Sequence, residues 1–366
     1  MRAERLSRYL LMQTLIGVGI AGGVVLTAIL MIDLVEQMRT LGARADLGLF
    51  AGWRLTLLKT PQILEQTLPF VVLIGVMITF WRLARRSEVT AIRAAGVSAW
   101  RFLAPTALVA AGLGVVGALA LNPMGAAAIG VFERERAALL GQPIEAESAE
   151  GEVWLRQSDP AGQTLIRARA ARDMGQTLQD ATFFVFELDA NEEMRFARRY
   201  DAKEARLRDG FWQLSDVVEN KLDAAPARAP GLSLPSTVNP QDLLSRFAAP
   251  ETTSFWDLPR VIATVEAAGL SATPYALRWH RLMSTPVALT AMALLAALFS
   301  LGIERFGGRG RMAFLAVTAA LSVYLANDLS GALAQADVAP PWAAAWCPTI
   351  VALFLALWAI SVREDG

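Results

Sequence analysis

The chain has 366 residues, of which 54% are hydrophobic and only 19% charged, and its net charge is zero. Soluble chains carry about a quarter charged residues, so the composition points to a membrane protein, and the balanced charge offers no field to gather nucleic acid. The single cysteine, Cys347, excludes an intrachain disulfide framework, and the single histidine, His280, excludes a multi-histidine metal site.

A bilayer core about 30 Å thick needs roughly 20 apolar residues in helical form. Residues 11–32 make the first such run, uncharged and too long for a cleavable signal, so a retained span is expected there. It ends at Asp33 and Glu36, which suit either the interface or a polar cavity. The second run, residues 60–81, contains Glu65; the third, residues 102–121, ends at Asn122-Pro123. Gly17 to Gly22 and Gly112 to Gly117 both match G-x-G-x-x-G. Both lie mid-span with no preceding strand, so close helix–helix approach is expected rather than dinucleotide binding.

The loop from Arg82 to Arg101 reads RLARRSEVTAIRAAGVSAWR. Ser87-Glu88 can open a short helix and Gly96 can close it, with Leu83, Val89, Ile92 and Val97 on its apolar face. Such a helix either lies on the membrane surface as a connector or docks into a partner's groove.

Residues 133–275 change character. Short apolar runs around Trp154-Leu155 and Leu165-Ile166 are broken by Asp159-Pro160 and Gly162. Thr182 to Phe186 is rich in β-formers, and Phe211 to Leu214 follows Asp209-Gly210. Strands of this spacing predict an all-β sandwich or barrel. Residues 224–240, rich in Pro and Ala, are expected as a loop or sheet edge, and residues 258–269 as an amphipathic helix returning to the membrane. Tyr275 and Trp279 suit an interfacial belt, and Arg278, His280 and Arg281 a membrane anchor. Three more apolar runs close the chain, residues 282–303, 312–335 and 342–362. The middle one carries Asp328, expected at a protein interface or wet lumen because a carboxylate in lipid is costly.

Arginines set the orientation. Arg2, Arg5, Arg8, Arg82, Arg85, Arg86, Arg93, Arg101, Arg305, Arg309, Arg311 and Arg363 share one side; Arg39, Arg44, Arg54 and Lys59 share the other. The excess predicts cytoplasmic termini and an insert on the outer side. The expected architecture is therefore three plus three transmembrane helices around an extracytoplasmic all-β domain. Its parts are residues 1–132 with a cytoplasmic helix at about 84–97, residues 133–275, and residues 276–366. There is no G-x-x-x-x-G-K-[ST], and the only lysines are Lys59, Lys203 and Lys221. No HExxH or G-x-S-x-G is present either. The chain thus lacks a recognisable site for its own ATP hydrolysis, and an energy-coupled role needs a partner. A transporter subunit, a mechanical transmitter between an ATPase and outer partners, and a membrane-embedded enzyme all remain open at this point.

The stretch Arg85-Arg86-Ser87-Glu88-Val89-Thr90-Ala91-Ile92-Arg93-Ala94-Ala95-Gly96-Val97-Ser98 resembles the cytoplasmic helix of the LptF/LptG lipopolysaccharide export permeases. Leu68-Pro69-Phe70 with Leu73-Ile74-Gly75, Asn327-Asp328-Leu329 and Trp346-Cys347-Pro348 are similar to other parts of that family, and the likeness covers nearly the whole chain. Residues 32–42 and 254–259 look most like the G-type subunit. The resemblance implies a permease without enzyme activity in the inner membrane of a Gram-negative bacterium, with a periplasmic β-jellyroll. It implies an LptF-type partner, a single-span LptC-type protein, an LptA-type periplasmic bridge, and an LptB-type ATPase dimer that uses ATP and Mg. No cofactor is expected on this chain. The coupling residues would be Arg86, Ser87, Glu88, Ile92 and Arg93. Residues lining the lipid path or its rim would be Ile32, Asp33, Glu36, Arg39, Arg134, Arg136, Leu325 and Asp328. In one departure, some relatives carry a phosphate-binding lysine where this chain has Asp33; Arg39, Arg134 and Arg136 are then its substitutes, or else ordinary interface arginines.

Overall fold

The computed structural model describes residues 2–41, 48–140, 153–159, 162–172, 175–188, 194–208, 210–221, 225–237, 249–267, 271–301 and 309–364. Arg44 and Arg305, counted above for orientation, and Pro160 and Asp209, taken as turn markers, lie outside the described residues. The chain forms two compact units. One comprises Met1–Phe132, Thr253–Ala267 and Ala272–Gly366; the other comprises Glu133–Thr252 with Ala268–Ser271.

The first unit is helical because an apolar run in hydrocarbon must satisfy its backbone within itself. Its elements are α1 (Arg2–Leu41), α2 (Gly48–Arg85), α3 (Glu88–Ala94), α4 (Ala99–Val116), a π-helical turn (Gly117–Leu121) and α5 (Asn122–Leu140), which runs on past Phe132. After the insert come α6 (Leu258–Ala267), α7 (Thr273–Leu301), α8 (Arg309–Gln335) and α9 (Pro341–Glu364). Among the described residues, six helical stretches are long and apolar enough to cross a membrane, α4 to α5 counting as one.

Helix α7 is the hub and packs on α2, α4, α8 and α9. Its Leu289, Ala293, Ala296 and Ala297 are fully buried, the alanines allowing close approach from several sides. Helix α1 packs on α2 and α4. A Cβ on Gly75 would stand 2.4 Å from the Val18 Cα, so only glycine permits the α1–α2 crossing at its observed depth. Gly17 lies at the same crossing against Thr79, the role expected for these small residues. Helices α1 and α8 keep broad apolar faces uncovered, through Ile20, Val24, Ile32 and Val35 on one and Phe314, Leu321, Leu325 and Leu329 on the other.

The second unit carries one antiparallel seven-stranded sheet. Its strands are β1 (Val153–Asp159), β2 (Gly162–Ala168), β3 (Ala170–Arg172), β4 (Thr177–Leu188), β5 (Met194–Arg208), β6 (Phe211–Lys221) and β7 (Ala227–Pro235). The spatial order is β1-β2-β4-β5-β6-β7, with β3 beside β4. The runs read as β-forming fall inside β4 and β6, and the Pro/Ala-rich stretch supplies the edge strand β7. Prolines are tolerated there because an edge has an unpaired side.

One face of the sheet buries Leu155, Ile166, Leu178, Phe183, Tyr200, Trp212 and Leu214 as a single core. Phe183 meets Trp212 edge to face at 6.0 Å. A flat sheet cannot cover such a face by itself. The two outer strands meet instead: Gln157 on β1 donates to the Pro235 carbonyl on β7 at 3.1 Å, and the Ser236 hydroxyl donates back to Gln157 at 3.2 Å. The sheet therefore curls until its first and last strands touch.

Candidate functional site

The loop helix α3 forms over Glu88–Ala94, where the pattern places it. Its closure follows from Gly96, whose φ of 76° needs no Cβ penalty. Gly96 N–H bonds the Arg93 carbonyl at 2.9 Å and Val97 N–H bonds the Ile92 carbonyl at 3.4 Å, a Schellman end. The start differs from expectation. Ser87 sits in the left-handed region at φ 56° and its side chain makes no cap, because the chain turns sharply out of α2 there.

The apolar face of α3 is occupied within this chain: Val89, Ile92 and Val97 pack on the bundle core beside Leu83. Ile92 is thus a root of the helix, whereas Thr90, Ala91, Arg93 and Ala94 form its exposed side. Arg93 lies over the Phe102 ring at 6.0 Å. Glu88 is not free: the Tyr9 hydroxyl of α1 donates to its carboxylate at 2.7 Å, and the exposed Arg86 stands 3.9 Å away. Tyr9 was not singled out in the sequence, since nothing local links it to a loop so distant.

Within the helical unit, the residues expected along the lipid path lie on α1 and α8. Asp33 turns into the bundle, where it pairs with Lys59 of α2 at 3.0 Å and receives Gln37 Nε2 at 3.4 Å. With its side chain 8% exposed and its charge matched, Asp33 does not stand on an open rim. Lys59 also approaches the Phe132 ring, 6.0 Å from its centroid. Ile32, Glu36 and Arg39 point outward from α1, and Leu325 and Asp328 outward from α8. Asp328 acts electrostatically on Arg281 of α7, whose guanidinium donates to the Asn327 carbonyl at 2.9 Å. Arg134 and Arg136 are exposed on α5 within the second unit.

Glu65 is the charged residue whose partners sequence reasoning missed. Its carboxylate takes Arg278 Nη2 at 2.6 Å and Asn122 Nδ2 at 2.9 Å. Arg278 is therefore turned into the protein rather than outward as a membrane anchor. The only prior signal was that a carboxylate inside an apolar run requires a cation, which the pattern could not identify. Among the described residues no group of His, Cys, Asp and Glu could hold a metal ion.

The family model for the lipopolysaccharide export system permease LptF/LptG matches residues 8–361. The chain is also similar to the lipopolysaccharide export system permease protein LptG of Haemophilus influenzae, at 22% identity over 361 residues, covering 96% of this chain and 98% of that protein. With six candidate membrane helices around an inserted antiparallel sheet, and a family match running almost from end to end, this chain belongs to the LptF/LptG family of lipopolysaccharide export system permeases.

Proposed function

We propose that this protein is the G-type transmembrane subunit of an exporter that lifts lipopolysaccharide out of the inner membrane and passes it to a periplasmic bridge. The observation that carries the reading is the family match over residues 8–361, joined to a helix α3 that presents a short exposed face on a chain with no P-loop. Work is needed because exposing an acyl chain of about twelve carbons to water costs roughly 10 kcal/mol, at about 0.8 kcal/mol per methylene. The chain carries no P-loop with which to supply it. An LptB-type ATPase dimer, using ATP and Mg, does so through Arg86, Glu88 and Arg93 on and beside α3, with Ser87 setting the turn and Ile92 rooting the helix.

In this reading both termini are cytoplasmic and the β-domain is periplasmic, which the arginine distribution supports. The uncovered apolar faces of α1 and α8 meet lipid acyl chains and an LptF-type partner, with a single-span LptC-type protein alongside. Ile32, Glu36, Arg39, Leu325 and Asp328 line the path or its rim. Arg134 and Arg136 bind phosphate through charge-assisted hydrogen bonds. The core face of the curled sheet receives acyl chains on the way to an LptA-type bridge.

The test is affinity purification of the full chain from a native membrane, followed by reconstitution in proteoliposomes. Co-purification of an ATPase and a second six-span subunit, with ATP-dependent delivery of lipopolysaccharide to a soluble acceptor, supports the reading. ATP-dependent signalling to outer partners without lipid delivery identifies a mechanical transmitter instead.

A further inference from the structure

Glu65, 10% exposed at its side chain, uses both carboxylate oxygens: one on Arg278 of α7 and one on Asn122 at the head of α5. Asn122 is itself 1% exposed, and its other end is also used. Its Oδ1 accepts the backbone N–H of Phe255 at 2.8 Å. The carboxylate on one side and the N–H on the other leave the amide a single orientation. Phe255 belongs to the stretch by which the chain returns from the inserted domain, three residues after the long segment Glu133–Thr252 of that unit.

The local backbone is built for this contact. Asn122 N–H bonds the Gly117 carbonyl, five residues back, so the π turn carries one extra residue and turns Asn122 inward. Pro123 has no N–H, so the Leu119 carbonyl, four residues back, loses its helical donor. The indole N–H of Trp256 donates to it at 3.3 Å, although Trp256 is 62% exposed. Two adjacent residues of the returning segment are thus held by the two backbone irregularities at the α4–α5 junction. The segment then turns directly into α6, with Asp257 and Leu258 N–H groups on the Ser254 carbonyl at 3.0 and 3.1 Å.

A buried pair such as Glu65–Arg278 can be merely a staple between α2 and α7. The use of Asn122 Oδ1 is different: it is spent on the chain coming back from the insert, not on another bundle helix. We propose that Asn122, oriented by the Glu65–Arg278 pair, is a positioning residue for lipid transfer. It fixes the outgoing chain at α5 and the returning chain at Phe255–Trp256 to one point of the bundle, so that motion of α2 and α7 reaches both connections of the β-domain together. The inference rests on the exporter reading above.

The experiment uses the reconstituted full complex and reads three quantities: ATP hydrolysis, lipopolysaccharide delivered per ATP, and hydrogen exchange of the peptide spanning residues 253–258. Asn122→Ala removes the acceptor. Exchange at Phe255 should rise about tenfold, as for loss of one hydrogen bond, and delivery per ATP should fall, with hydrolysis near wild type. Trp256→Phe, which removes only the donor to Leu119, should lower delivery per ATP less.

The decisive variant is the charge swap Glu65→Arg with Arg278→Glu. It restores the ion pair but puts a donor at position 65. Asn122 must then turn its oxygen inward, and Phe255 N–H is left without an acceptor. A simple staple would recover delivery in the swap; the positioning role predicts recovered assembly with exchange and delivery still impaired. Full delivery per ATP in the swap, or in Asn122→Ala with raised exchange, overturns the proposal. If Asn122→Ala fails to assemble, the swap and Trp256→Phe decide by the same criteria. A wild-type complex that hydrolyses ATP without delivering lipid would instead sink the exporter reading.

Discussion

The Tyr9 hydroxyl donates to the Glu88 carboxylate at 2.7 Å across 79 positions of sequence, tying the first span to the loop helix α3. Helix α3 is therefore joined to α1 by a polar contact as well as rooted on the bundle by Val89 and Ile92.

Tyr9→Phe keeps the ring and removes only the donor. A hydrogen bond to a charged group at a surface contributes about 1 kcal/mol or less once water competes. Assembly with the ATPase should survive, and lipid exported per ATP should fall because α1 no longer follows α3. Glu88→Lys should do more, weakening assembly or blocking export outright. Paired measurements of complex yield and export in reconstituted vesicles check both; an unchanged Glu88→Lys protein would remove α3 as the coupling site.

Asp33 and Lys59 are unequally buried, at 8% and 34% side-chain exposure. Removing the cation should therefore cost more than removing the acid. Lys59→Ala leaves a buried carboxylate with only Gln37 and is expected to cost about 2–3 kcal/mol, whereas Asp33→Ala leaves a lysine able to reach water and should cost about 1 kcal/mol. The double substitution should recover part of the larger loss. Thermal unfolding in one detergent and at one pH, across all four proteins, measures the asymmetry.

Trp212 is fully buried against Phe183 in the β-domain core. Trp212→Ala should cost about 3–5 kcal/mol by cavity formation. Because the two units have separate cores, the loss should appear as protease sensitivity between β1 and β7 while the helical unit keeps its melting behaviour. Simultaneous loss of both would show that they fold as one.

Topology is tested with the chain's one cysteine replaced, Cys347→Ser, and Ser233→Cys introduced on the exposed side of β7. An impermeant thiol reagent added outside spheroplasts should label it. Labelling only after lysis would invert the proposed orientation.

Photo-crosslinkers at Ile32 and Leu325 should capture lipopolysaccharide, while one at Phe354, equally outward but on α9, should capture little. Equal capture at all three would place the lipid path on other helices.

Features legible in the sequence were those set by local pattern. Long apolar runs marked the spans, runs of β-forming residues marked β4 and β6, and Gly96 marked the end of α3. The glycine runs of α1 and α4 announced close crossings, which Gly17 makes against α2 and Gly114 against α7. What stayed hidden were pairings across the fold. Glu65 stood out as a charge inside a span, yet its choice of Arg278 and Asn122 depends on how three helices pack. Asp33 read as suiting either the interface or a polar cavity, and its pairing with Lys59 depends on how α1 packs on α2. Ser87 read as a cap by type, but the sharp turn from α2 put it in a backbone conformation from which its hydroxyl does not cap.

The meeting of β1 and β7 bears on self-association. A sheet with two open edges offers free backbone donors and acceptors to any other strand, and natural sheets cover or blunt such edges. Here Pro230 and Pro235 remove donors from β7, and the Gln157 side chain draws the opposite edge onto the Pro235 carbonyl. Among the described residues the seam is made by the Gln157 side chain, on the Pro235 carbonyl and the Ser236 hydroxyl, and not by a backbone ladder. Gln157→Leu would leave the core of the domain standing and expose its margins. Its signature would be strand-to-strand oligomers that grow with concentration, at little change in melting temperature.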